Sequence, residues 1–195
     1  MQSLKVLIYG AGAIGRGYLG PLLQKYGIGI SFVDTNSKLI SELKSRKSYK
    51  TAITGTSDYK YVNVPVDNAF LFGEEICIED YAMVFSCVGP NNCYDLVDDL
   101  KRAKAVISCE NDIATVKGLQ EITGNTNIYF GIPDVITSNT ASPELLKKDT
   151  LMTVTEQGVL ILEKGNYTLP KEIIQVSNQN LYTHWICKLF IHNAP

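Results

Sequence analysis

The sequence predicts an α/β protein built on a doubly wound, mostly parallel sheet. Three observations carry that prediction. An apolar run, Leu4 to Tyr9, breaks at Gly10, Gly12 and Gly15 and passes into a helix-period pattern. A second apolar run, ISFVD, ends in an acid, Asp34. Short apolar runs at 82–90 and 104–111 then alternate with segments of helical period. Buried strands alternating with helices make parallel sheets that are covered on both faces.

The first turn is the most specific. Gly10 suits a tight turn, Gly12 lets backbone approach a pyrophosphate, and Gly15 lets the helix pack close to the strand. Ile14, Tyr18, Leu19, Leu22, Leu23 and Tyr26 give that helix its apolar stripe. Its N-terminus offers unpaired N–H groups and the positive end of the helix dipole. Alone, a glycine cluster marks an ordinary turn. Between two buried strands and followed by Asp34, it is the dinucleotide fingerprint of a Rossmann sheet. Gly10, Ala11, Gly12, Ala13, Ile14, Gly15 and Asp34 are therefore the candidate cofactor-binding residues. A carboxylate at the second strand's end accepts both ribose hydroxyls and repels a 2′-phosphate. Thr35 and Asn36 follow it without an arginine, and Lys38 reads as a solvated helix residue, so NAD is expected over NADP. Pro21 falls inside the helix, where it costs the bond to the Gly17 carbonyl and predicts a kink.

The remaining elements follow in order. Leu39, Ile40 and Leu43 mark a helix. SYKTAITG and DYKYVNVPV alternate at period two around Gly55-Thr56-Ser57-Asp58, which reads as an inserted hairpin. A buried strand at 82–90, a helix at 91–102, a strand at 104–111, a helix at 112–123 and the strand NIYFGI come next. LMTVTEQ and VLILEK read as a late antiparallel strand pair, 165–177 as a loop, and 178–192 as a last helix. Ligands of such sheets bind beyond the carboxyl ends of the strands. That nominates Val88, Gly89 and Pro90 after one strand, and Glu110 and Asn111 after the next. The plainer alternatives are a Gly-Pro turn and helix-capping side chains.

Composition excludes several classes. With 195 residues the chain is long for one domain and short for two. A net charge of −2 gives no footprint for nucleic acid. No apolar stretch approaches the roughly 18 residues of a membrane span. The N-terminus enters a strand at once, without a signal peptide. Five cysteines without CxxC spacing read as free thiols in a reducing cytoplasm, and two histidines, His184 and His192, make a metal site unexpected.

Several segments together resemble the polyol-specific long-chain dehydrogenases, the mannitol dehydrogenase family. They are YGAGAIGRGYLGPLL, FVDTNSKLISELKSRKSY, SCVGP, SCEN, IYFGIPDVITS, MTVTEQGVLILEK and KLFIHN. The likeness spans nearly the whole chain and implies NAD-dependent hydride transfer at a secondary alcohol, between mannitol 1-phosphate and fructose 6-phosphate. It also implies a small-molecule polyol or sugar-phosphate substrate, Lys188 as general base, and Asn193 and Asn111 as amide donors to the reacting oxygen. Read locally, Lys188 and Asn193 belong to an ordinary helix end.

The pattern departs from the family in three places. Pro133-Asp134-Val135 stands where the family has Val-Asp-Arg, and both the motif histidine and the helical C-terminal domain that the resemblance implies would fall beyond Pro195. Residues 1–177 are accordingly expected to form the NAD-binding domain and 178–195 to begin the substrate domain. Leu181, Trp185 and Leu189 are then expected to be exposed and to promote self-association. Lys188 is expected to keep a pKa near the free value of about 10.4, leaving this chain inactive by itself. Two other readings stay open. One is a non-catalytic NAD-binding module or remnant of the same family. The other is a ketopantoate-reductase-like enzyme, which Asp34 disfavours because those enzymes prefer NADP.

Overall fold

The computed structural model describes residues 4–55, 58–138 and 141–192; the side chains of 178 and 189–192 lie outside that description. Twelve strands are described: β1 (Lys5–Tyr9), β2 (Gly29–Asp34), β3 (Ser48–Thr54), β4 (Tyr59–Pro65), β5 (Asn68–Leu71), β6 (Met83–Ser86), β7 (Val106–Ser108), β8 (Ile128–Asp134), β9 (Thr137–Ser138), β10 (Thr153–Thr155), β11 (Val159–Glu163) and β12 (Ile174–Val176). The main sheet has the order β12-β11-β8-β7-β6-β1-β2-β5. From β5 to β8 every pairing is parallel. This is the doubly wound Rossmann order, reversing direction between β1 and β6. Alternate residues of β1 serve opposite cores: Val6 and Ile8 pack with Phe32 and Phe85, and Leu7 and Tyr9 with Val84 and Val106.

The helices are α1 (Gly20–Lys25), α2 (Ser37–Arg46), α3 (Val97–Arg102), α4 (Ile113–Thr123), α5 (Pro143–Lys148) and α6 (Asn178–His192). Among the described residues, side chains cap three of them: Asn36 accepts from Leu39 N at the start of α2, Asp112 from Ala114 N at the start of α4, and Ser142 from Leu145 N at the start of α5. A second sheet, ordered β4-β3-β10-β9, lies over the glycine-rich helix. Its Tyr49 is fully buried and donates from Oη to the Arg16 carbonyl at 2.5 Å.

The expected hairpin is β3 and β4, in register from Ser48 opposite Pro65 to Thr54 opposite Tyr59. At Pro21 the helix changes type: a π-helical stretch, Ala13–Leu19, runs into α1, which places the proline in α1's first turn, where an N–H is not needed. Three expectations need correction. The late strands are antiparallel, but not to each other: β10 pairs with β9, and β11 with β8. The expected loop at 165–177 contains β12, which pairs with β11. Last, the side chains expected to stand exposed on α6 do not all do so. Leu181 is fully buried in the core beneath the sheet, and Trp185 packs at its edge against Phe130. Of the three side chains expected to be exposed, Leu181 is thus buried and Trp185 half-buried on the chain's own sheet; Leu189's side chain lies outside the described residues.

Candidate functional site

The glycine turn sits at the reversal point of the sheet. Gly10 has φ +90 and a Cβ there would strike the Cys87 carbonyl, so residue 10 needs glycine for conformation and for space. A Cβ on Gly15 would strike the Gly10 carbonyl, whereas one on Gly12 would meet nothing within 4 Å. Gly12 therefore opens to a cradle, and Gly10 and Gly15 close the turn behind it. Ala11 is held at both ends of its peptide groups: its N–H donates to Asp34 Oδ2 at 2.8 Å, and its carbonyl accepts from Arg16 Nε at 3.0 Å. Arg16 is buried, and its guanidinium also donates to the Leu151 carbonyl, tying the turn to the segment that leads into β10. Burial pushes the Arg16 pKa down, against the nearby Tyr49, Asp34, Asp149 and Glu42.

Asp34 accepts a second backbone N–H, from Asn36, on Oδ1 at 2.9 Å. A cleft of about 340 Å³ on one side of it is bounded by Gly10, Gly12, Val88, Phe72 and Leu96. A cavity of about 480 Å³ on the other side is bounded by Ala11, Arg16, Lys38 and Leu151. Both volumes are in the range of small-molecule sites. Ala13 and Ile14 open the π-helical stretch, with Ile14 packed against the core. Phe72 and Leu96 go unread in the sequence, because only the turn after β5 and the approach to α3 bring them to Asp34.

The ends of β6 and β7 are built around one carboxylate. Glu110 is buried and accepts from Ser86 Oγ at 2.5 Å, Val88 N at 3.0 Å and Gly89 N at 2.6 Å. Expected among the cofactor-binding residues, it is turned inward and shapes the loop that carries Val88 and Gly89. Pro90 is exposed beyond that loop. Asn111 is exposed, in the left-handed region at φ 58, and its carbonyl accepts from Trp185 Nε1 at 3.2 Å.

That bond draws α6 to the same end of the sheet. Three residues further along α6, Lys188 donates from Nζ to the Pro133 carbonyl at 2.8 Å, at the end of β8. Lys188 is half-buried, and burial pushes its pKa down; Asp134 and Cys109 pull the other way. The expectation of an unshifted lysine is corrected: the chain's own sheet desolvates it. Asn193 lies outside the described residues. Val135, standing where the family has arginine, is buried and packs over Gly158. Among the described residues no cluster of three metal-ligating side chains is found, and no helix is long and apolar enough to cross a membrane.

Comparison with known proteins matches residues 4–125 to the family described as the mannitol dehydrogenase Rossmann domain. The mannitol-1-phosphate 5-dehydrogenase of Lactococcus lactis subsp. lactis (strain IL1403) is 33% identical over 134 residues, covering 60% of this chain and 34% of that protein. The protein of the same name from Buchnera aphidicola subsp. Acyrthosiphon pisum (strain Tuc7) is 23% identical, covering 98% of this chain and 56% of its own length. The chain thus spans between a third and just over half of these relatives. Among solved structures, D-mandelate dehydrogenase with NADH and anilino(oxo)acetate superposes with a TM-score of 0.71 at 17% identity, over 97% of this chain and 61% of that one. At that identity the likeness speaks for the fold.

Proposed function

The chain belongs to the mannitol dehydrogenase Rossmann-domain family, and from that premise we propose that it binds NAD and serves an oxidoreductase that interconverts mannitol 1-phosphate and fructose 6-phosphate. The observation that carries the reading is the open cradle at Gly12 beside Asp34, at the switch point of the sheet. The N–H groups that open the π-helical stretch, at Ala13 to Gly15, would face the pyrophosphate. Asp34 would take the adenosine ribose, which favours NAD over the 2′-phosphorylated cofactor. Val88, Gly89 and Pro90 would line the nicotinamide side, with Glu110 setting their positions.

When bound, the nicotinamide ring takes or gives the hydride. This chain's residues manage the proton and the oxygen. Lys188, desolvated against β8, would accept the hydroxyl proton at Nζ, and its lowered pKa brings it toward the range useful for a base. Asn111, with Asn193, would donate to the developing alkoxide. We take 1–177 as the cofactor-binding unit and 178–195 as the segment that brings the base to it.

The test is calorimetry with NADH and NADPH, followed by turnover of mannitol 1-phosphate. NADH should bind the more tightly, and Asp34→Ala should narrow the difference. Equal or tighter binding of NADPH would overturn the assignment to Asp34. Cofactor binding without turnover, even with the remainder of a family enzyme supplied, would favour a non-catalytic NAD-binding module.

A further inference from the structure

We propose that Cys87 and Cys109 form a modification site, an adjacent dithiol that a peroxide converts to a disulfide and that weakens the cofactor cleft when oxidised. The inference about the cleft rests on the reading of that cleft as a dinucleotide site; the thiol chemistry stands without it.

The placement follows from strand register. Ser86 of β6 lies opposite Ser108 of β7, and Cys109 N donates to the Ser86 carbonyl at 2.9 Å, so the next residues along, Cys87 and Cys109, are neighbours. They also share a face. Met83, Phe85 and Cys87 point into one core, and Ala105, Ile107 and Cys109 into the same one. Adjacent strands lie about 4.8 Å apart, within the roughly 4.4–6.8 Å between Cα atoms that a disulfide spans. The Cys87 thiol donates toward Cys109, and that contact, then burial, holds its proton on well above the ordinary thiol range. Cys109 in turn lies within electrostatic reach of the Lys188 ammonium. The pair therefore sits together at the ends of β6 and β7, with Cys87 on the cleft side.

The step balances with a peroxide as oxidant. One of the two sulfurs attacks one peroxide oxygen, the O–O bond breaks, and the leaving hydroxide becomes water with that thiol's proton. The other sulfur then attacks the sulfenic sulfur, the S–O bond breaks, and a second water leaves with the second thiol's proton. Two thiols are oxidised to one disulfide and one peroxide is reduced to two waters.

The bond would form in the segments that shape the cleft. Cys87 lines it, the Cys87 carbonyl abuts Gly10, and Glu110, next to Cys109, holds Val88 and Gly89. Drawing the two sulfurs from contact to covalent distance shifts both strand ends against the glycine turn. The other cysteines do not compete for this pairing. Cys93 is fully buried, with its thiol on the Pro90 carbonyl and pushed up to about 11 by burial, and Cys77 and Cys187 are exposed.

The experiment treats the chain with hydrogen peroxide, alkylates the remaining thiols, maps the peptides by mass and measures NADH affinity before and after. The expected product is a Cys87–Cys109 linked peptide two hydrogens lighter than its parts. NADH affinity should fall by about tenfold, a coupling of the usual size, and recover with dithiothreitol. Cys109→Ser should bind NADH as the reduced chain does and lose the response to peroxide. If that variant fails to fold, phenylarsine oxide on the unaltered chain replaces it: one arsenical bridging both thiols supports the pair, and its failure to bridge them overturns it. Linkage through Cys77 or Cys187, sulfinic acid at Cys109, or an unchanged NADH affinity in the linked chain would also overturn the proposal. If the reduced chain does not bind NADH, the cofactor reading fails, and the peptide map still decides on the dithiol.

Discussion

Asp34 and Lys188 show how single residues are set to their tasks by what surrounds them. Both Asp34 oxygens are engaged by backbone N–H groups, from Ala11 and from Asn36. The carboxylate therefore holds the glycine turn, besides the cofactor-selecting part proposed for it. Asp34→Ala should lose roughly 1–3 kcal/mol of stability through two unpaired N–H donors, besides weakening NADH more than NADPH. Thermal unfolding read beside calorimetry separates the two effects, and a variant as stable as the parent would deny Asp34 its structural part. Lys188 works in the opposite direction. Burial lowers its pKa in the folded chain, so the unfolded chain binds more protons between the folded value and about 10.4. Stability contributed by this residue then rises with pH across that window and is lost as pH falls through the folded pKa. Lys188→Met should flatten the alkaline part of the stability profile, which urea titrations at several pH values can measure; an unchanged slope would place Lys188 in water. Asp34 is legible in the sequence because its motif is local. The inward turn of Glu110 is not, since its partner Val88 lies 22 positions away and only strand register joins them.

The glycine turn makes the sharpest claim at the scale of an element. Its three glycines look alike in the sequence and differ in what surrounds them. Gly15→Ala would drive a methyl group into the Gly10 carbonyl, which backbone cannot yield easily, and should cost about 1–3 kcal/mol. For a chain of this size that is a fall of about 2–4 °C per kcal/mol. Gly12→Ala has open space around it, so melting should stay within a degree or so of the parent, on the order of a neutral substitution, while NADH affinity drops because the methyl group fills the cradle. If both variants melt alike, the division of labour within the turn is wrong. The same contrast explains which elements can be read ahead of the structure. The strands β1, β2 and β8 and the helices α2, α4 and α6 announce themselves by periodicity or capping over five or more residues. The strands β5, β9 and β12 span two to four residues, too short to show a period, and are strands only because distant partners pair with them. The second sheet approaches the glycine-rich helix too closely for a side chain at two positions: a Cβ on Gly17 would meet Thr137 Oγ1, and one on Gly20 would meet Tyr49 Oη.

For the whole molecule the question is whether α6 belongs to the Rossmann sheet or begins a separate unit. Three of its described side chains bind it to the sheet: Leu181 fully buried in the core, Trp185 edge-on to Phe130 at 6.2 Å and bonded to the Asn111 carbonyl, and Lys188 on the Pro133 carbonyl. Contacts of this kind make a helix unfold with what it packs against, since segments that open early are those with few buried apolar contacts. Trp185 is the only tryptophan in the sequence, so its fluorescence reports on α6, and far-ultraviolet circular dichroism reports on the whole chain. The two should lose their folded signals at the same urea concentration. Leu181→Ala removes the one fully buried side chain among the described residues of α6, at a cost of about 2–5 kcal/mol. It should move the Trp185 transition to lower urea, ahead of the dichroism, and carry the Lys188 pKa back toward its free value, because the lysine is desolvated only while α6 is docked. If the fluorescence transition already precedes the dichroism in the unaltered chain, α6 is a loosely attached neighbour, and the base proposed at Lys188 would have to be positioned by something other than this sheet.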